Sequence, residues 1–200
     1  MRPVHSDLPL ERINHQFPMT SPLPEPWLRG PVPDVPPLLQ PAAHAFLMAG
    51  EDVEEAVAGL TSDQAWHRPL GITPIGFHLL HVAGSTSRLL TYARGESLSA
   101  EQRAALVAER NASDVGPSLE LLRTGWQQAV ADAIRELQGT PESVLLQPRT
   151  VGRAQLPSTV IGLLFHAAEH ASRHTGQIVT TAKLVRSLTA SDDTSARVAG

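Results

Sequence analysis

The stretch 163–184 reads LLFHAAEHASRHTGQIVTTAKL and sets His166, His170 and His174 four residues apart. On a helix, residues at that spacing stack on one face. At 3.6 residues per turn the row drifts only about 40° per step. The same face continues to Leu163, Gln177, Thr181 and Leu184, which is the pattern of a core-facing seam. The three imidazoles are therefore expected to point inward, where an unpaired ring nitrogen is costly. A second window, FHLLHVAG, carries His78 and His81. Two His at i and i+4 can chelate a metal ion, and a third from a facing helix completes a three-His face. Such a face leaves coordination positions free for water or substrate, as catalytic sites do. Imidazole donors suit Zn, Ni, Fe or Cu without choosing among them.

Three collinear histidines cannot all hold one ion. His166 and His174 are separated by about 12 Å at 1.5 Å per residue. The pair is either His166/His170 or His170/His174, and spacing alone leaves both open. Gln177, one turn beyond His174, is placed to hold a water or an imidazole N–H behind the ligands. His44 and His67, standing alone, read as hydrogen-bonded residues of the fold, and His5 and His15 as solvated. Ser85 and Arg88 read as ordinary hydrogen-bonding and surface residues. Glu169 points about 100° away from each adjacent histidine on the helix.

Composition narrows the chemistry. There are no cysteines among the 200 residues, which removes disulfides, thiolate metal sites and Cys nucleophiles. A formal net charge of −4 argues against a nucleic-acid footprint, which is basic and clustered. No stretch reaches the roughly 18 apolar residues of a membrane span, and the N-terminus lacks the apolar run of a secretory signal. A cytoplasmic protein with no nucleic-acid and no membrane partner is the expectation.

The elements that must position the histidines are helical. Residues 1–37 are dense in proline and read as an extended arm that packs partly on the domain from about Pro24, its first residues loose. From Leu38, apolar residues recur at three and four through Ala42, Ala45, Ala49, Val53, Val57 and Leu60. Thr61 with Gln64 forms a capping box around a short turn at Trp66. Thr73-Pro74 opens a second helix to about Arg94, with an apolar stripe (Ile75, Leu79, Val82, Thr86, Leu89) beside a polar lane (His78, His81, Ser85, Arg88). Ser99 with Gln102 opens a shorter helix to about Arg110. Gly116-Pro117 starts a long one through Leu119, Leu122, Trp126, Val130, Ala133 and Leu137. The loop 140–157 has room for a short hairpin around Val151-Gly152. The last long helix spans about 158–187, and 188–200 is expected to be a disordered tail. The fold class is all-α: a four-helix bundle over 38–187, with an extra short helix and a Pro-rich arm.

At these residues a family resemblance enters. HAAEHASRHTGQI resembles the signature of the DinB-like superfamily, which includes the YfiT-type metal-dependent hydrolases. It has His170, three residues, His174, then Thr175-Gly176-Gln177. FHLLHVAG is similar to the context in which these families place one metal-binding His on the second helix. PWLRGPVP-x-VPPLLQPA is similar to a motif of one subgroup. The resemblance implies an up-down-down-up bundle, commonly a homodimer, with a divalent metal on three histidines. It selects His170 and His174, takes His81 as the third ligand, and leaves His78, His166 and Gln177 as supporting or alternative residues. Zn or Ni is the expected ion, with Fe as a further option. Many members have Arg after the final His where this chain has Thr175, so a substrate contact through that Arg does not carry over. Some relatives transfer low-molecular-weight bacterial thiols to electrophiles, so the resemblance implies a thiol S-transferase with a small-molecule substrate and a thiol cosubstrate. A metal-dependent hydrolase and a non-catalytic, metal-binding, stress-associated bundle are the alternatives. A helical interaction module whose histidines are only a satisfied polar core is the reading without metal.

Overall fold

A computed structural model describes residues 24–111 and 116–198. The expectation for the first part of the arm lies outside them. Six helices are present: α1 (Gln40–Val57), α2 (Ser62–Trp66), α3 (Ile75–Ala93), α4 (Ala100–Asn111), α5 (Leu119–Gly139) and α6 (Val160–Val198). A two-stranded antiparallel hairpin, β1 (Pro148–Val151) and β2 (Leu156–Thr159), precedes α6, with Pro148 opposite Thr159. Its turn takes Gly152 and Gln155 to positive φ, a conformation open to glycine and strained for glutamine.

The four long helices pack as a ring in the order α1, α6, α3, α5. Side-chain pairs fix their directions. His78 meets His174 while Ser85 meets His170, so α3 and α6 run antiparallel. Glu54 pairs with Arg123 while Gly50 faces Val130, so α1 and α5 are antiparallel too. Arg186 of α6 donates to Ala58 O just past the end of α1, and Ala45 shares a cleft with Ser172, so α1 and α6 run the same way. The topology is up-down-down-up. Phe46, Val53, Leu79, Val82, Trp126, Leu137, Leu164 and Ile178 fill the shared core, each no more than 1% exposed. No helix among the described residues is long and apolar enough to cross a membrane.

Several local expectations shift. The α1 seam begins at Leu39, buried, while Leu38 is exposed. A 3-10 turn at Pro37–Leu39 precedes the helix and turns Leu39 inward instead. Pro74, not Thr73, is the N-cap of α3, without a side-chain cap. Ser118 caps α5, accepting from Leu121 N–H. The boxes at Thr61/Gln64 and Ser99/Gln102 form in both directions. α6 runs past Ser187 to Val198, because no Gly or Pro interrupts residues 177–199. Residues 24–39 lie along α1 through polar contacts: Arg29 forks onto Glu51, His44 donates to Gly30 O, and the Gln40 amide spans Val32. Trp27 and Leu28 stay exposed.

Trp66 ties the start of α3 to the start of α5. Its indole N–H donates to Pro117 O at 2.9 Å, and its ring lies against Gly76 and Gly116. A Cβ on Gly76 would come within 2.6 Å of the ring, two residues before His78. At Gly125, inside α5, a Cβ meets nothing within 4 Å. Gly76→Ala is expected to lose about 1–3 kcal/mol through overpacking. Gly125→Ala is expected to gain about 0.5–1 kcal/mol through helix propensity. Urea unfolding midpoints of the two variants check both signs.

Candidate metal centre

The polar lane of α3 faces the histidine row of α6. Because the two helices are antiparallel, successive lane residues meet successive row residues in reverse order. His81, His170 and His174 come together, each offering one nitrogen, and these nitrogens lie within 4.8 Å of one another. Ring centroids are separated by 4.5 Å for His170/His174, 4.7 Å for His81/His174 and 5.1 Å for His81/His170. All three are half-buried.

Each ring is held from behind at its other nitrogen. His81 Nδ1–H donates to Glu109 Oε1 at 2.5 Å. Glu109 is buried and its second oxygen takes the Arg88 guanidinium at 3.1 Å. Ser85 Oγ donates to Val82 O at 3.1 Å, which leaves it to accept from His170 Nδ1–H, also at 3.1 Å. His174 Nδ1 lies 3.0 Å from His78 Nδ1, so one of these two rings donates to the other. The Phe77 ring stacks on His81, centroids 5.7 Å apart and planes 4° from parallel.

If Nδ1 of His81 and of His170 both carry hydrogen, both Nε2 atoms present lone pairs. Those two atoms face each other at 3.4 Å. Two lone pairs pointing together repel, and a cation between them removes the repulsion. With His174 donating from Nδ1 to His78, a third lone pair joins them. The residues therefore fit a cation, with a carboxylate, a hydroxyl and an imidazole each orienting one ring, as supporting groups do around metal-bound histidines.

Electrostatics agree with neutral rings. The pKa of His78 is pushed down to about 4, by burial first and then by His81. His170 and His174 are each pushed down to about 4, again by burial first and then by neighbouring cationic groups. Burial raises the Glu109 carboxyl, but the His81 hydrogen bond and the Arg88 charge outweigh it and hold it below its ordinary value.

The structure revises the sequence reading of the row. His166 is not inward: its side chain is 51% exposed and sits 3.5 Å from Glu169. The 40° drift per step carries it off the core face. Gln177 is exposed and holds none of the imidazoles. Ser85 and Arg88, read as ordinary polar residues, are buried and orient the cluster. Glu169 forks onto Arg173 on the solvent side. Glu109 is the residue that sequence reasoning missed. The signal was Arg88 on an inward lane, which needs a carboxylate, but spacing does not say which of 20 acids supplies it.

A family model described as the DinB superfamily matches residues 45–178. The chain belongs to the DinB superfamily. This superfamily is metal-binding, and the three-His group is placed to hold an ion. A solved structure, a conserved protein from Enterococcus faecalis, is similar in fold, with a TM-score of 0.61 and 21% identity, over 74% of this chain and 97% of that one. No curated protein matches.

The depressed histidines give this DinB-superfamily protein a pH signature. Their folded pKa values lie below the unfolded value of 6.5, so the unfolded chain binds more protons between those limits. Stability is whole above about pH 6.5 and is lost as pH falls towards 4. In chelator, the urea midpoint of wild type is expected to fall across this window. A variant with His78, His170 and His174 all changed to Gln is expected to give a flatter profile.

Proposed function

We propose that His81, His170 and His174 bind a divalent cation, Zn or Ni, and that the protein is a metal-dependent thiol S-transferase acting on a small electrophile. The observation that carries the metal reading is the convergence of one nitrogen each from His81, His170 and His174 within 4.8 Å, two of them 3.4 Å apart, while the outer nitrogens of His81 and His170 are engaged. A divalent cation held there would supply Lewis acidity, lowering the pKa of a thiol that joins it.

Preference for a thiol over water rests on the carboxylates. A hydrolytic site gains from a free general base beside the attacking water. Glu109 has both oxygens committed, one to His81 and one to Arg88, and it is buried behind the rings. Glu169 is engaged with Arg173 on the solvent side. A thiol, with a solution pKa near 8.5, needs far less help than water to ionise. The chain has no cysteine, so the sulfur nucleophile would come from a low-molecular-weight thiol cosubstrate.

Metal binding is tested first, by titrating Zn or Ni into chelator-treated protein. His81→Ala and His170→Ala are expected to lose binding. His78→Ala is expected to keep most of it, and Glu109→Gln to weaken it by about 10–100-fold. Equal binding by wild type and His170→Ala removes the metal reading, and loss with His78→Ala but not His81→Ala reverses the ligand choice.

Activity is tested with a panel of low-molecular-weight thiols and a chromogenic aryl halide, with and without chelator. Thiol-dependent turnover that chelator abolishes is expected. Ester hydrolysis without thiol transfer would point instead to the hydrolase reading, and metal binding without any turnover to a non-catalytic bundle.

A further inference from the structure

A second polar constellation lies far from the three histidines. Beyond the C-terminal end of α3, a cleft of about 930 Å³ separates the start of α4 from the β1–β2 hairpin. Tyr92, on its wall, is eleven residues from His81 along α3, about 16 Å at 1.5 Å per residue. Three arginines line the cleft, Arg103 from α4 and Arg149 and Arg153 from the hairpin, against a single acid, Glu96. Glu96 is already engaged by Arg94 at 2.9 Å. Among the described residues none of the three arginines forms an ion pair. Arg103 does act on Glu101 from a distance, without bonding to it. In a chain with more acids than bases, such an imbalance in one cleft is not the average surface.

The arginines are not equivalent. Arg149 is spent on the fold: its Nε donates to Ala93 O at 2.7 Å, and its Nη atoms to Pro148 O and Gln147 Oε1. It caps the carbonyl end of α3 and forms a fixed floor. Arg103 uses one Nη on Leu98 O, leaving its remaining N–H groups free. Arg153, exposed at the hairpin turn, has no partner among the described residues. Beside Arg103 on the same face of α4, Leu106 and Val107 add an apolar lining, the latter 57% exposed. Tyr92 adds a half-buried ring whose hydroxyl bonds to no described residue.

From this we infer that the cleft between α4 and the hairpin binds a small organic anion, a phosphate or carboxylate that carries a planar or apolar group. Arg103 and Arg153 hold the anionic end, guanidinium forks being suited to both oxyanions. Tyr92, Leu106 and Val107 take the apolar end. Nothing in this site uses the histidine cluster, so it stands whether or not that cluster holds a metal.

Calorimetric titration of the full chain in chelator tests it, with phenyl phosphate, benzoate and inorganic phosphate as separate probes. Saturable binding of phenyl phosphate or benzoate is expected, about tenfold tighter than inorganic phosphate and weakening as salt rises. Arg103→Gln and Arg153→Gln are each expected to weaken it about tenfold. Arg135→Gln, on the exposed face of α5, is expected to leave it unchanged, and circular dichroism confirms that the variants stay folded. If wild type shows no saturable binding of either organic anion, or if the Arg103→Gln/Arg153→Gln double variant binds as wild type does, the inference is overturned. Equal binding of all three probes overturns the organic part, and tighter binding of benzoate than phenyl phosphate assigns the anion as a carboxylate.

Discussion

The carboxylate of Glu109 is the charge around which the centre is built. Burying a carboxylate is costly unless it is paired and hydrogen-bonded. Here Arg88 neutralises it from one side and His81 takes its other oxygen. The space for this pair comes from Gly84, where a Cβ would come within 2.8 Å of Arg88 and 3.0 Å of Glu109. α4 is short and mostly exposed, so apolar burial contributes little to its docking. It is held at its other end by Gln102, whose amide donates to Ser87 Oγ and Thr91 Oγ1. Polar contacts at both ends place α4, and its delivery of Glu109 is what fixes the tautomer of His81.

The bundle determines where such a cluster can sit. A four-helix core is apolar, and six neighbouring polar side chains inside it would be expensive. The antiparallel α3/α6 pair solves this by running the polar lane along one edge of the core. His78, Ser85 and Arg88 are buried against partners, while His81, His170 and His174 reach the half-open edge. The buried layer provides orientation and the edge layer provides donors.

Legibility followed the range of the interactions. Helices α1, α3, α5 and α6, the boxes at Thr61 and Ser99 and the α5 seam depend on neighbours three or four residues away, and these were readable. Spacing also placed the two histidine windows on facing helices. It did not choose between His166 and His174, because a drift of 40° per step becomes burial or exposure only once the core is known. The roles of Glu109, Ser85 and Arg88 depend on contacts 21 to 85 residues apart in sequence. No local period encodes those distances. Leu38 and Leu39 show the same limit at smaller scale, since a 3-10 turn of three residues decided which leucine faced inward.

Charge balance bears on the chemistry proposed for the centre. Imidazoles that coordinate an ion do so in their neutral form, and Glu109 is cancelled by Arg88 rather than left to face the edge. A divalent cation seated on the three rings would thus keep its charge almost undiminished, in a setting less polar than water. Such a site draws an anionic donor more strongly than a neutral one, and among neutral candidates favours the one that ionises more easily. Near neutral pH that ordering places thiols ahead of water and alcohols. A carboxylate beside the open edge would reverse the preference by offering a base to water and repelling an anion. The commitment of Glu109 to the rear of His81, and of Glu169 to Arg173 outside, is therefore what tilts the proposed chemistry towards sulfur.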